Sequence, residues 1–248
     1  MKYLFTSLII YLLSIQIVLA DIAKGECGSC VWIIDDSQQM VIKPTDGNSG
    51  VLDNWVNILY LPWEQYRDQI VAVRIEGSVK AKTCAFMFYQ CSRLRSADLK
   101  GLNTDEVSDW RLMFDGCSSI EQIDLSNMSF ANATNINRLF KGCNKLSSLN
   151  LGNFKLGKLE KKSIEIKHKD ARKKSLDVNY SYGSVFKDCN ALKSITVTSQ
   201  KPHKIHEDLF SSIPNLESCT LYVPERKTKK FRKAKGWSVF HEIRSNLS

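Results

Sequence analysis

The 248-residue sequence lacks the short motifs that mark common catalytic sites. It contains no G-x-S-x-G, H-E-x-x-H, G-x-x-x-x-G-K-[ST] or D-x-[DN]-x-[DN]-G segment, so no motif predicts a serine hydrolase, zinc protease, nucleotide site or calcium site. His206-Glu207 begins a zinc-protease motif, but Phe210 stands where the second histidine would be. We therefore expect no enzyme activity, no metal and no cofactor.

The chain after residue 20 also lacks an apolar run long enough to cross a bilayer. Before that point, Lys2 is followed by a mostly apolar run from Tyr3 to Leu19, and Ala20 precedes Asp21. This is the pattern of a secretory signal peptide spanning residues 1–20, cleaved after Ala20. A retained membrane anchor is the alternative, which the polar residues within the run disfavour. We expect a secreted or cell-surface protein whose mature chain has no transmembrane span.

Negative charge is scarce in two segments of a chain whose net charge is +9. Residues 155–174 hold nine Lys and Arg against three Asp and Glu, and residues 225–235 hold seven against one. Each segment is either a solvated surface or a binding site for anionic glycans. Nucleic acid is not an expected partner, because Phe231 is the only aromatic residue among the closing cations. The candidate ligand-binding residues are Lys161, Lys162, Lys173, Lys174, Lys229, Lys230, Arg232 and Lys233.

The sequence does contain an internal repeat. Cys91, Cys117 and Cys143 are each 26 residues apart, and a phenylalanine precedes each of them by three positions. A pattern of the L-x-x-L-x-L type follows each cysteine, and the whole phrase returns around Cys189. One such unit cannot bury its own apolar face, so the units must stack into a solenoid.

Within each unit the spacing predicts a short helix followed by a short strand. Trp110, Met113, Phe114 and Cys117 recur at i, i+3, i+4 and i+7, which is one face of a helix. The apolar period changes to two around residues 123–125, as in a half-buried strand.

Longer stretches carry a resemblance to a known family. The phrase M-F-x-x-C followed by L-x-x-L-x-L-S-N, repeated at 26 residues, resembles the BspA-type leucine-rich repeats of bacterial and protist cell-surface proteins. CGSCVWIIDDSQQMVI (27–42) and PWEQYRDQIVAVRIEGSVKA (62–81) resemble the N-terminal cap that precedes such repeats, and CTLYVPERKTKKFRKAKGWSVFHEI (219–243) is similar to their closing segment. The resemblance implies an α/β solenoid and adhesion to extracellular or host proteins.

The chain then divides into a β-rich N-terminal cap at 21–82, a repeat solenoid at 83–224 and a basic, helical C-terminal cap at 225–248. Alternating residues predict cap strands at 31–42 and 70–76. Residues 155–180 interrupt the repeat. We expect a partial strand near Ile164–Ile166 and a lysine-rich loop around 167–178, with a degenerate repeat as the alternative.

Eight cysteines suggest disulfides in an exported protein, but their positions argue against most pairings. Residues in the same slot of successive coils have parallel Cβ vectors, which are poor for bridging, and a buried cysteine packs as a small hydrophobe. The residues of this structural ladder are Cys91, Cys117, Cys143 and Cys189. Only Cys27 and Cys30 are plausible disulfide partners.

These features predict a monomeric adhesion module that binds extracellular proteins or anionic glycans through a rigid repeat surface and the basic segments. A structural envelope-associated protein without a specific ligand is the alternative, and an enzyme would require a polar pocket in the N-terminal cap. The exposed strand positions are small or polar, without an evident hot spot. They are Asp98, Gln122, Asp124, Ser148, Asn150 and Thr196.

Overall fold

The computed structural model describes residues 21–156, 164–166, 176–178 and 184–246, which form a β-solenoid of about seven turns. The strands before the first repeat are β1 (Asp21–Cys27), β2 (Cys30–Asp35), β3 (Gln39–Pro44), β4 (Ser49–Val51), β5 (Ala72–Ile75) and β6 (Ser78–Lys80). The later strands are β7 (Ser96–Asp98), β8 (Leu102–Asn103), β9 (Gln122–Asp124), β10 (Ser148–Asn150), β11 (Ile164–Ile166), β12 (Leu176–Val178), β13 (Ser194–Thr196), β14 (Thr220–Val223) and β15 (Glu242–Ser245). Within the described residues, short 3-10 helices cover Ile58–Tyr60, Glu64–Gln69 and Leu216–Ser218, and the single α-helix, α1, covers Thr228–Arg232.

The coils stack because equivalent strands pair side by side. β3, β5 and β7 are parallel, and the antiparallel strands β2 and β1 extend that sheet. β9, β10, β13, β14 and β15 form a second, parallel sheet, in which Leu149 lies in register between Ile123 and Ile195. A third sheet of β4, β6 and β8 joins the first coils. The predicted solenoid is confirmed, as are the cap strands at 31–42 and 70–76.

The interruption contains two strands. β11 coincides with the partial strand expected near Ile164–Ile166, and it pairs antiparallel with β12. The prediction of a loop is therefore wrong for Leu176–Val178, because that segment supplies the second strand of the pair. The rest of the predicted lysine-rich loop lies outside the described residues.

The segment predicted as the helix of each coil is instead a ribbon of turns. The Met87 N–H donates to the Cys84 carbonyl within its own coil, whereas the Phe88 N–H donates to Met113 of the next coil. An α-helix would direct every N–H along its own axis. The ribbon turns back on itself at left-handed residues such as Leu112 (φ 56°) and Arg138 (φ 55°). The helix predicted for each coil is therefore wrong, because these backbone bonds run between coils. The strand predicted around residues 123–125 is confirmed as β9.

The core contains two parallel ladders of repeated side chains. Phe88, Phe114, Phe140, Phe186 and Phe210 form a column with neighbouring ring centroids 5.5 to 5.9 Å apart. The cysteines of the ladder are buried free thiols. Three of them donate to the carbonyl of the phenylalanine in the preceding coil, at sulfur–oxygen distances of 3.1 to 3.2 Å: Cys117 to Phe88, Cys143 to Phe114, and Cys189 to Phe140.

Aromatic side chains close both ends of the core. Trp32, Trp55 and Trp63 are buried in the N-terminal cap, where Trp63 packs against both of the others, so they are core residues. At the other end Phe231 and Trp237 are buried against each other, with ring centroids 5.2 Å apart. The C-terminal cap contains the predicted helix only as a short one: α1 has 5 residues, and β15 closes the sheet.

Candidate binding surface

The strands expose one continuous groove across the solenoid. It has a volume of about 780 Å³ and extends from β3 to the residue that follows β15. We call this surface the strand groove. Its polar and charged lining residues are Gln39, Arg74, Arg95, Ser96, Asp98, Glu121, Gln122, Asp124, Ser148, Asn150, Ser194, Thr196, Tyr222 and Asn246. All six strand positions predicted to be exposed belong to it.

Register places the outward side chains in rows along the solenoid axis. Ser148 lies beside Gln122 on one side and Ser194 on the other, in the row at the strand starts. In the row at the strand ends, Thr196 pairs with Tyr222. Because neighbouring strands are about 4.8 Å apart, a bound chain would meet a polar group at each coil.

Several groove residues also have a structural role. The Asp124 carboxylate accepts the N–H of Ser126 at 2.9 Å, and the Asn150 amide oxygen accepts the N–H of Gly152 at 3.0 Å. Asp98 accepts from Lys100 in the same way. Each bond terminates a strand with a local turn, and it occupies one acceptor direction of an oxygen that still faces the groove.

Charges at the two ends of the groove are paired locally. Arg74 contacts Glu76 at 2.7 Å near the first coils, and Arg244 contacts Glu242 at 2.6 Å on β15. The hydrogen bond from Arg244 lowers the pKa of the Glu242 carboxyl, so this pair stays charged at neutral pH. Between these pairs the groove is lined by hydroxyl, amide and carboxylate groups and by the Arg95 guanidinium.

The closing cations do not line this groove. Lys229, Lys230, Arg232 and Lys233 are exposed on or directly after α1. The Arg232 guanidinium donates to the Ile243 carbonyl at 3.2 Å, so this residue fastens α1 to β15. The neighbouring residue Phe231 is buried in the core and is not available for base stacking. The other four candidates, Lys161, Lys162, Lys173 and Lys174, lie outside the described residues.

The possible disulfide partners lie opposite each other at one hairpin. Cys27 and Cys30 pair across the turn between β1 and β2, and both are buried free thiols in this structure. Burial raises the pKa of the Cys27 thiol to about 11. Since the thiolate is the form that attacks in disulfide exchange, the raised pKa slows exchange at this pair at neutral pH.

Sequence reasoning missed an apolar surface in the N-terminal cap. Val56, Leu59 and Tyr60 are exposed there, beside the first two turn ribbons. The signal was a stretch without period-two alternation, V-N-I-L-Y-L at 56–61, between two predicted strands. No helix of the described residues is long and apolar enough to cross a membrane.

Comparison with known proteins adds a partial match. Residues 78–179, less than half of the chain, match a family model described as a Mycoplasma protein of unknown function, DUF285. A crystal structure of a leucine-rich repeat protein from Eubacterium ventriosum is 12% identical; the similarity covers 82% of this chain and 79% of that one, with a TM-score of 0.23. No curated protein matches this chain.

Proposed function

We propose that this protein is a secreted or surface-attached adhesion module that binds extracellular proteins through the strand groove. The observation that carries the proposal is the row of polar side chains that the stacked strands present without using them in the core. A solenoid supplies such an extended surface because each coil repeats the same strand geometry. The resemblance to BspA-type repeats implies the same class of function.

A second candidate ligand is an anionic glycan bound by α1. Lys229, Lys230 and Lys233 are exposed, and they form no ion pair with any other described residue. Cations at i and i+4, such as Lys229 and Lys233, lie on the same side of a helix. Such a site would bind by charge, so its affinity would fall steeply as salt rises.

Binding of residues 21–248 to immobilised extracellular-matrix proteins and to heparin, over a salt series, tests both candidates. The groove variant carries Ser148→Tyr and Thr196→Tyr, which fill the groove with a residue type that strands favour. The helix variant carries Lys229→Glu, Lys230→Glu and Lys233→Glu and retains Arg232, because that residue holds β15. Lys82→Glu, Lys145→Glu and Lys187→Glu together form the matched control, since all three lysines are exposed and lie outside the groove.

The proposal predicts saturable binding to a matrix protein that the groove variant weakens at least roughly tenfold and the other variants leave unchanged. Salt-sensitive heparin binding lost only in the helix variant would favour the glycan candidate. If the protein shows no saturable binding to any of the matrix proteins or to heparin, both candidate functions are contradicted and a purely structural role is favoured.

A further inference from the structure

Three large apolar side chains remain exposed on the N-terminal cap. Val56 is 65% exposed, Leu59 is 44% exposed and Tyr60 is 68% exposed. The other large exposed hydrophobic residue among those described is Ile22, at 39%. Apolar exposure is therefore concentrated in one short segment that includes the 3-10 helix Ile58–Tyr60.

This segment is fixed to the body of the solenoid. The Arg111 guanidinium donates to the Val56 carbonyl at 2.9 Å, and the Trp55 indole N–H donates to the Ala85 carbonyl. Within the segment, the Asn57 side chain accepts the Leu59 N–H at 2.7 Å. Because partners from both of the first two turn ribbons hold it, the fold keeps these side chains in solvent in a defined arrangement.

The same segment contributes Ile58 to a small apolar cluster. Ala85, Phe86 and Leu112 are buried together, and the half-buried side chains of Ile58 and Tyr89 pack against them. We define the apolar patch as Val56, Ile58, Leu59, Tyr60 and Tyr89. A single exposed hydrophobic residue is ordinary, whereas a contiguous patch on an ordered element marks an interaction surface.

The size of the patch limits what can cover it. Val56 and Tyr60 are about two-thirds exposed and Leu59 less than half, so the patch is of the size of an ordinary apolar patch on a monomer, on the order of a few hundred Å², whereas a stable dimer buries about 800 Å² of each partner. A second copy of this chain is therefore a poor occupant. A short segment that inserts two or three side chains fits that area.

Local charge further limits the occupant. Arg111, which donates to the Val56 carbonyl, pairs with Asp109 at 3.3 Å. The cation that contacts the patch is therefore neutralised, so this contact does not favour anionic lipid or an acidic peptide.

We propose that the apolar patch docks an uncharged peptide segment of a partner protein that inserts two or three aliphatic or aromatic side chains. This surface is separate from the strand groove, since none of its residues lines the groove. The proposal therefore stands or fails independently of the proposed function.

Selection from a displayed peptide library tests it. Residues 21–248 serve as bait, after depletion of the library on a variant carrying Val56→Ser, Leu59→Ser and Tyr60→Ser. Enriched peptides are expected to carry closely spaced aliphatic or aromatic residues and no net charge. For one synthetic peptide from that pool, the Kd measured by fluorescence anisotropy should weaken at least roughly tenfold in the variant. Ile22→Ser, at the exposed apolar residue outside the patch, should leave the Kd unchanged.

Three results would overturn the proposal: enriched peptides that bind bait and variant equally, a pool dominated by charged sequences, or no enrichment at all. Patch-dependent binding to phosphatidylserine vesicles, or patch-dependent dimers in sedimentation, would replace the peptide by a membrane or a second copy. If the triple variant does not unfold cooperatively, Tyr60→Ser alone provides the comparison, because this side chain is the most exposed of the three.

Discussion

At the scale of single residues, the solenoid depends on positions where one coil approaches the backbone of another. Gly152 has a φ of +57°, and a Cβ there would lie 2.5 Å from the Ser126 Cα of the preceding coil. Gly47 has a φ of +81°, but a Cβ there would meet nothing within 4 Å. Alanine substitutions at these two glycines therefore distinguish two contributions to the loss of stability: the left-handed backbone, which both share, and crowding between coils, which only Gly152 has.

Gly152→Ala is expected to destabilise the protein by several kcal/mol, on the order of 3 kcal/mol or more, because strain and overpacking add. Gly47→Ala should cost only about 1 kcal/mol, from the backbone conformation alone. Urea unfolding of both variants measures the difference. Equal costs would mean that the coils can separate at Ser126 without penalty.

The buried thiols predict a specific pH dependence. Burial raises the pKa of Cys91 and Cys189 to about 12, above the value of about 8.5 expected in the unfolded chain. When folding raises the pKa of a thiol, the stability of the protein is unaffected by that thiol below the unfolded pKa. Stability is then lost as the pH rises from the unfolded pKa toward the folded pKa. The free energy of unfolding should therefore fall between about pH 8.5 and about pH 12, by about 1.4 kcal/mol per pH unit for each of these buried thiols.

Urea titrations across that range, together with thiolate absorbance, measure this loss. Cys189→Ser keeps a donor for the Phe140 carbonyl, but a serine hydroxyl does not ionise in this range. The variant should therefore lose stability less steeply with pH, by the contribution of one thiol. Thiolate absorbance that grows in a fully folded protein would contradict the account.

At the scale of elements, the phenylalanine column joins the coils. Phe140 is buried between Phe114 and Phe186, with ring centroids 5.9 and 5.5 Å away. Phe140→Ala should lower the free energy of unfolding by about 3–5 kcal/mol, through lost burial and the cavity that remains. Tyr60→Ala, at an exposed ring, is the control and should change it by less than about 0.5 kcal/mol. A small loss of stability in Phe140→Ala would mean that the phenylalanine column contributes little to the packing between coils.

The turns that end the strands make a separate prediction. Asp124→Ala removes the acceptor for the Ser126 N–H and should cost about 0.5–1.5 kcal/mol. Asp124→Asn should keep most of that stability, because the equivalent Asn150 makes the same bond through its amide oxygen. If Asp124→Asn retains stability but loses matrix binding, the carboxylate contributes charge to the groove. If Asp124→Ala and Asp124→Asn destabilise the protein equally, the side-chain acceptor at residue 124 does not stabilise the turn.

At the scale of the whole molecule, the sequence predicts the repeat but not the path of its backbone. The 26-residue spacing places the ladder residues Phe114 and Cys117 correctly, because equivalent slots must pack together. The turn ribbon was missed because Leu112 and Arg138 adopt left-handed conformations that such residues do not signal. The helical part of the C-terminal cap is shorter than predicted for a related reason: the charged residues of this segment do not signal the turns that follow α1 or the strand β15.

The binding surface was predictable only in part. A period of two identifies Asp124 and Thr196 as outward residues, but only the register between coils brings them into one groove. The apolar patch depends on contacts with Arg111 and Ala85, which are distant in sequence from Val56. No local pattern in residues 56–61 predicts those contacts.

The most direct test of the proposed function is to identify the face of the solenoid that touches a bound matrix protein. A photo-reactive phenylalanine analogue at Ser194 reports on the strand groove, and the same analogue at Lys145 or Lys230 reports on surfaces outside it. The account predicts a covalent adduct from Ser194 at saturating matrix protein and none from the other two positions. An adduct from Lys230 or Lys145 without one from Ser194 would contradict the strand groove as the binding surface.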